Sequence, residues 1–381
     1  MKPIQMVDTK TQYHKIKKEV DEAVIAVMES SHFIGGAAVN NFAANLAAYH
    51  GCKHVVPCAN GTDALQIALM ALDIKAGDEI ITPSFTYIAT VEVAALLGIR
   101  PVFVEVDKQN FCLDPEAVEA AITPKTKAIV PVHLYGQAAE MDKILALAKK
   151  HNLYVIEDNA QAIGNNYIFP DGSRKKTGTL GHIGCTSFYP SKNLGAYGDG
   201  GAMFTDDDAL AEKLRMIASH GQRTRYYHEI VGCNSRLDAM QAAILDIKLK
   251  HLDEYNDARR LAADYYDEGF KNVAGLTVPH RASWSSHVFH QYTILVPAEK
   301  RDGLHEYLAG ENVPSMIYYP VPAHRQKMFD AFGGSDFDLP VTDWLTERVI
   351  SLPVHTELEK EQQDFIIEHV ITYLTKEDQA K

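Results

Sequence analysis

The sequence predicts an α/β protein: a large domain built on a mostly parallel sheet, followed by a smaller α+β unit. Three observations predict it. Between residues 54 and 156, short Val/Ile-rich runs alternate with longer segments of helical periodicity, the βαβα pattern of a sheet covered by helices. Those runs are continuously apolar rather than alternating, as parallel strands buried on both faces are. The chain has 381 residues, 46% of them hydrophobic, too many for one small core and suited to one large domain plus a smaller one.

The elements follow in order. Residues 1–32 read as an arm and then a helix, with Ile16, Val20, Val24 and Val27 at helical spacing. Gly35-Gly36 breaks that pattern, and an amphipathic stretch covers 40–50. An apolar run at 54–57 leads through Cys58-Ala59-Asn60-Gly61-Thr62-Asp63 into 64–72, apolar nearly all round as a buried helix is. Strands are predicted at 79–82, 101–106, 128–132 and 153–156, and helices at 88–97, 115–121 and 143–151. Residues 167–179 are polar and read as a loop, and the runs at 185–189 and 202–205 as strands. A helix at 206–219 and an irregular stretch at 220–232 precede a long helix at 237–252 that continues, with charged residues, to about 269. The remainder reads as strands at 276–278, 291–296 and 315–318, a helix at 301–309 and a final helix at 360–374. The change of character falls along 250–270. Residues 1–255 are expected to form the arm and large domain, and 256–381 the small domain.

Bulk properties exclude several functions. The net charge is -13 and no Lys/Arg cluster occurs, which argues against nucleic acid as a partner. The five cysteines are scattered, without disulfide or zinc-site spacing, so no metal is expected and a reducing cytoplasm fits best. The N-terminus lacks the apolar core of a signal peptide, and no apolar run approaches a membrane span. The expectation is a cytoplasmic protein with no membrane partner.

The candidate site is assembled from loops at predicted strand ends, where ligands of open α/β sheets gather. No Gly-x-Gly-x-x-Gly follows the first strand, so a dinucleotide site is not indicated. Gly61-Thr62 opens a helix after a strand and forms an anion-binding turn, although Asn60 or Thr62 could equally be a simple cap. Tyr87 lies in the loop past the second strand. Asp158 and Gln161 follow the strand at 153–156. Lys192 sits in SFYPSKNLGAYGDGG, between two apolar runs and beside a glycine cluster, with Ser187 five residues before it. Alone, Lys192 is as readily a surface lysine as a nucleophile. Together these residues suit pyridoxal 5′-phosphate (PLP). That cofactor needs a lysine to join it, a carboxylate for its pyridine nitrogen, a phosphate cup and a flat group against its ring.

The motifs CANGTDAL, TPSFTYIAT, VIEDNAQ, SFYPSKNLGAYGDGGA and GCNSRLDAMQAAIL resemble those of the DegT/StrS-type sugar aminotransferases over nearly the whole chain. The resemblance implies the aspartate aminotransferase fold (fold type I), with a mostly parallel, mixed seven-stranded sheet in the large domain. It implies Lys192 as the Schiff-base lysine, Asp158 on the pyridine nitrogen, Gln161 on the ring hydroxyl and Tyr87 stacked on the ring. Gly61, Thr62 and Ser187 would hold the phosphate. Asn234 would reach the cofactor of a neighbouring subunit, which makes a homodimer with shared active sites.

Within the family, KNLGAYGDGG resembles members that aminate C3 of the sugar. The resemblance is nearest to UDP-2-acetamido-2-deoxy-3-oxo-glucuronate aminotransferases. It implies glutamate as amino donor, a nucleotide-linked keto-sugar as acceptor, and a place in surface polysaccharide (O-antigen) biosynthesis. Arg236 could pair with a sugar carboxylate or serve as a structural ion pair at the dimer interface. Tyr318-Tyr319-Pro320 stands where the family often has His-Tyr-Pro, in a region that contacts the sugar, and Cys233 replaces a commoner aromatic or aliphatic residue. A dTDP-linked 3-keto-6-deoxyhexose is the alternative substrate. A non-catalytic PLP- or sugar-binding regulatory protein is the alternative of another class. A sugar 3-dehydratase of the same fold would carry histidine in place of Lys192.

Overall fold

A computed structural model describes residues 1–375. Two helices, α1 (Thr9–Ser30) and α2 (Gly36–His50), precede the first strand. The α/β body then runs β1 (His54–Cys58), α3 (Gly61–Ala71), β2 (Glu79–Pro83), α4 (Ala89–Leu96), β3 (Arg100–Val104), α5 (Pro115–Ala121), β4 (Thr126–Ile129), α6 (Met141–His151) and β5 (Tyr154–Asp158). It continues with the hairpin β6 (Asn166–Ile168) and β7 (Arg174–Lys176), then β8 (Ile183–Ser187), β9 (Gly201–Thr205) and α7 (Asp208–Ala218). A second hairpin, β10 (Gln222–Thr224) and β11 (Tyr227–His228), leads to α8 (Ala239–Leu249) and α9 (Leu252–Gly269). The last elements are β12 (Tyr292–Leu295), α10 (Ala298–Gly310), α11 (Pro340–Thr346), β13 (Val349–Leu352) and α12 (Lys360–Thr375).

The main sheet has seven strands in the order β1-β9-β8-β5-β4-β2-β3. All neighbours are parallel except at β9, which runs antiparallel to both β1 and β8. This is the mostly parallel, mixed seven-stranded sheet expected. Buried apolar residues of α3 and α7 cover part of one face, including Ile67, Ala68 and Ile217, while α6 contributes Ile144 and Ala148 to a second cluster. A third cluster joins α9, α10 and α12 to the β12–β13 pair through Tyr266, Leu304, Ile366 and Ile350. The expected boundary at 255/256 falls inside the first turn of α9, and residues 376–381 lie outside the described residues.

Several elements differ from the sequence reading. Residues 167–179 hold the β6–β7 hairpin rather than an unbroken loop, and 220–232 holds β10–β11. Both are strands of two or three mostly polar residues, too short to show a period. The long helix is two helices, interrupted at Lys250-His251. The runs at 276–278 and 315–318 are single bridges, Thr277 to Leu295 and Met316 to Ser351, and the partner of β12 is the unpredicted β13.

Candidate active site

The sheet topology assembles the site before any side chain is considered. Parallel strands β1, β2, β5 and β8 all end at the same edge. Their carboxyl ends carry Asn60-Gly61-Thr62, Tyr87, Asp158 and Ser187. Strand β9 begins there because it runs the other way. Its first residue, Gly201, pairs with Cys58 on one side and Ser187 on the other, so the Gly61 turn and Ser187 become neighbours. A Cβ on Gly201 would stand 2.4 Å from the Asn60 carbonyl oxygen, so only glycine permits this register.

These residues line one cavity of about 700 Å³. Gly61, Thr62, Tyr87, Asp158, Gln161, Ser187, Lys192, Tyr318 and Tyr319 all border it. Asn234 and Arg236 do not. Both are exposed, and Arg236 borders a separate groove beside Arg215 and Ser235.

Helix α3 points its N-terminus at the cavity. Asn60 caps it, its side-chain oxygen accepting from the Asp63 N–H at 2.8 Å. The capping reading and the anion-site reading are therefore compatible, because helix geometry leaves the Gly61 and Thr62 N–H groups without intrahelical acceptors. A Cβ on Gly61 would lie 2.7 Å from Ser187 Cβ. The glycine lets the helix start and Ser187 close around one small space.

Asp158 is the last residue of β5 and is nearly buried. Its Oδ2 accepts from the Thr90 hydroxyl at 2.7 Å, and its Oδ1 from the Ala160 N–H at 3.1 Å. Burial pushes its pKa up; the Thr90 and Ala160 donors and the positive charge of Lys192 pull it back. Gln161 is oriented by two bonds. Its Oε1 accepts from the Tyr135 N–H at 2.7 Å, and its Nε2 donates to the Tyr319 hydroxyl at 3.0 Å. One amide hydrogen remains for a ligand oxygen. Tyr319 continues along the wall, tilted against the half-exposed Tyr87 at 6.1 Å between ring centroids, and the Tyr318–Tyr319 peptide is cis.

Lys192 lies in a tight loop. Its N–H donates to the Tyr189 carbonyl at 2.8 Å, and the Ala196 N–H returns to the Phe188 carbonyl at 2.7 Å. The next side chain, Asn193, donates to Asn256 Oδ1 at 2.7 Å and to the Val288 carbonyl at 2.9 Å. Buried Lys248 donates to the Gly195 carbonyl at 2.5 Å. Burial lowers the Lys192 amine to about 8, against the opposing pull of Asp158. A lysine so placed is partly unprotonated near neutral pH, which makes it a nucleophile and a proton acceptor.

The cavity also takes in Thr86, Tyr189, Ser191, Asp199, His290 and Gln291, which sequence reasoning did not single out. Thr86 lies inside TPSFTYIAT and could have been read from it. His290 and Gln291 arrive from the far end of the chain, and no local pattern announces them. Arg259 on α9 fixes that segment by donating to the carbonyls of Phe289 and His290 at 3.2 and 3.3 Å.

Known proteins carry the same architecture. The chain is 46% identical over 372 residues to a pleiotropic regulatory protein of Geobacillus stearothermophilus (97% of this chain, 98% of that one). It is 46% identical over 359 residues to the UDP-N-acetyl-3-dehydro-alpha-D-glucosamine 3-aminotransferase of Acidithiobacillus ferrooxidans (94% and 95%). It is 45% identical over 356 residues to the UDP-2-acetamido-2-deoxy-3-oxo-D-glucuronate aminotransferase of Pseudomonas aeruginosa (93% and 96%). Its fold matches the crystal structure of S. venezuelae DesV in complex with a ketimine intermediate, with a TM-score of 0.93, 40% identity and coverage of 99% of this chain and 100% of that one. Residues 14–371 match the family directly, and the chain belongs to the DegT/DnrJ/EryC1/StrS aminotransferase family.

Proposed function

We propose that this enzyme moves an amino group from L-glutamate to C3 of a nucleotide-linked 3-keto sugar, of the UDP-2-acetamido-3-oxo-uronate type, in surface polysaccharide biosynthesis. The observation that carries the proposal is the convergence of Lys192, Asp158 and the α3 N-terminus on one cavity.

The residues present fit PLP. The cradle between Gly61 and Ser187, which a Cβ would fill, suits a phosphate. Gly61, Thr62 and Ser187 would hold it, Asp158 would face the pyridine nitrogen, Gln161 the ring hydroxyl and Tyr87 the ring face. Bound there, PLP supplies an electron-withdrawing ring that stabilises negative charge at a carbon losing its proton. Asp158 holds the compensating negative charge in a nearly dry wall. Lys192 holds the cofactor through its amine, and its Nζ then takes up and gives back the proton moved in each half-reaction. Asn234 and Arg236, exposed away from their own chain's cavity, are proposed to act across a homodimer interface, with Asn234 reaching a neighbouring cofactor and Arg236 a sugar carboxylate.

The test is a panel of UDP- and dTDP-linked 3-keto and 4-keto sugars offered with glutamate to the PLP-loaded protein. Amination at C3 of a UDP-linked uronate supports the proposal, and amination confined to C4 ketones overturns it. The Acidithiobacillus relative favours a second reading, an uncharged 3-keto sugar, which would include dTDP-linked ones. Arg236→Ala separates the two. With a uronate, KM rises about tenfold or more, since a charge-assisted bond is lost; with an uncharged sugar, KM stays as in the wild type. The Geobacillus relative is named a pleiotropic regulatory protein, and absence of amination across the whole panel would turn the reading towards such a role.

The lowered amine of Lys192 predicts a pH dependence. Only the unprotonated amine captures the cofactor's aldehyde. Below about 8 the rate at which apoprotein captures PLP falls about tenfold per pH unit, and above it the rate levels. Stopped-flow absorbance measures this. A rate still climbing through pH 10 would place Lys192 at the value of an ordinary exposed lysine.

A further inference from the structure

We propose that Thr90 is a positioning residue: its hydroxyl keeps the Asp158 carboxylate ionised and aimed into the cavity. This rests on the reading above, in which Asp158 faces the pyridine nitrogen of PLP.

Thr90 lies in the first turn of α4, 68 residues from Asp158 in sequence. Both are almost wholly removed from water, at 1% and 5% exposure. Thr90 Oγ1 has three oxygen neighbours: Asp158 Oδ2 at 2.7 Å, Thr86 Oγ1 at 3.2 Å and the Tyr87 carbonyl at 3.2 Å. A hydroxyl has one proton to give. An ionised carboxylate can only accept, and it is the strongest acceptor of the three. The proton therefore goes to Oδ2, and Thr86 donates to Thr90 in turn. Were it given to the Tyr87 carbonyl instead, Asp158 would need a proton of its own to keep the 2.7 Å contact. The position of this one proton and the charge on Asp158 are linked.

The other carboxylate oxygen, Oδ1, takes the Ala160 N–H. Each oxygen thus has one donor from the chain and lone-pair capacity left for a donor in the cavity. Among the influences that hold Asp158 ionised against its burial, the Thr90 hydroxyl is the largest. The Thr90 backbone N–H also donates to the Tyr87 carbonyl at 3.3 Å, so the same residue ties the carboxylate to the loop that carries the aromatic wall.

The test compares Thr90→Val, which keeps the shape and removes the hydroxyl, with Thr90→Ser, which restores it, and with Asp158→Asn. Each holoenzyme is assayed for its PLP dissociation constant across pH 4–9, for kcat and KM, and for its unfolding midpoint. The other titratable groups facing Asp158 are Lys192 from the β8–β9 loop, His133 after β4, Cys185 on β8 and Tyr319. None is altered by these substitutions at Thr90. In Thr90→Val, PLP binds about tenfold more weakly, and Asp158 protonates more readily. The acid limb of the affinity profile therefore moves up by about one pH unit. The kcat falls while KM for the sugar holds, and Thr90→Ser returns the profile to wild type. Thr90→Ala gives the same reading should valine disturb the fold. Wild-type affinity and acid limb in Thr90→Val, beside an impaired Asp158→Asn, overturn the role of Thr90 and leave the PLP reading standing. Wild-type behaviour in Asp158→Asn as well overturns both.

Discussion

Lys192→Ala abolishes transamination. The variant removes the only amine bordering the cavity among the described residues, and with it the group proposed to hold the cofactor covalently and to move the proton. Loss of general acid–base action alone costs about 10²–10⁴ in rate, and loss of the covalent attachment adds to it. The fold has little reason to change. The loop around Lys192 is held by backbone bonds at Tyr189 and Ala196 and by the Asn193 and Lys248 side chains, none of which uses the Lys192 amine. The loss should therefore appear in kcat with the unfolding midpoint unmoved. A second measurement is independent of turnover. Borohydride reduction of the PLP-loaded wild type fixes the cofactor to the Lys192 peptide, detectable by mass, and the alanine variant takes up no such label. A variant that aminated a keto-sugar at the wild-type rate, or a label found on another lysine, would remove Lys192 from its role.

How much of this was legible in the sequence follows from the distance over which each signal acts. Asp158 ends strand β5, and Gln161, Gly61, Thr62 and Lys192 follow within a few residues of apolar strand runs, so short local stretches place them at the strand ends. The parallel strands were legible for the same reason: β2, β4 and β5 lie on short apolar runs, Ile80-Ile81, Ala128-Ile129-Val130 and Val155-Ile156. The direction of β9 was not, because antiparallel pairing to β1 and β8 depends on partners far away in the chain. Thr90 reads from sequence as one more residue of a buried helix, and only the sheet brings it to Asp158. The α8–α9 break at Lys250-His251 has no Gly or Pro to announce it. β13 is four residues long and becomes a strand through its pairing with β12. The resemblance offers Arg236 either a sugar carboxylate or a structural ion pair, and its position outside its own chain's cavity leaves the first role only across the proposed homodimer interface.

Glu157→Ala destabilises the protein by about 3–5 kcal/mol, the range for breaking a fully buried charged network. Glu157 is wholly buried one residue before Asp158, on the opposite face of β5. Its Oε1 accepts from the N–H groups of Leu180 and Gly181, both at 2.6 Å. Its Oε2 accepts from the Gly178 N–H at 2.7 Å and pairs with His133 Nε2 at 2.9 Å. Alanine removes the acceptor of four donors at once, two of them, the Gly178 N–H and His133 Nε2, fully buried. Glutamine is no remedy, because its NH₂ must face one of these pairs of donors and two donors cannot satisfy each other. The damage also reaches the site, since the 178–181 turn leads into β8 and thence to Ser187. Urea unfolding of Glu157→Ala and Glu157→Gln should show both midpoints lowered, and PLP affinity lowered with them. An unfolding free energy within about 0.5 kcal/mol of wild type, the range of ordinary surface substitutions, would show that the network around Glu157 carries little of the fold.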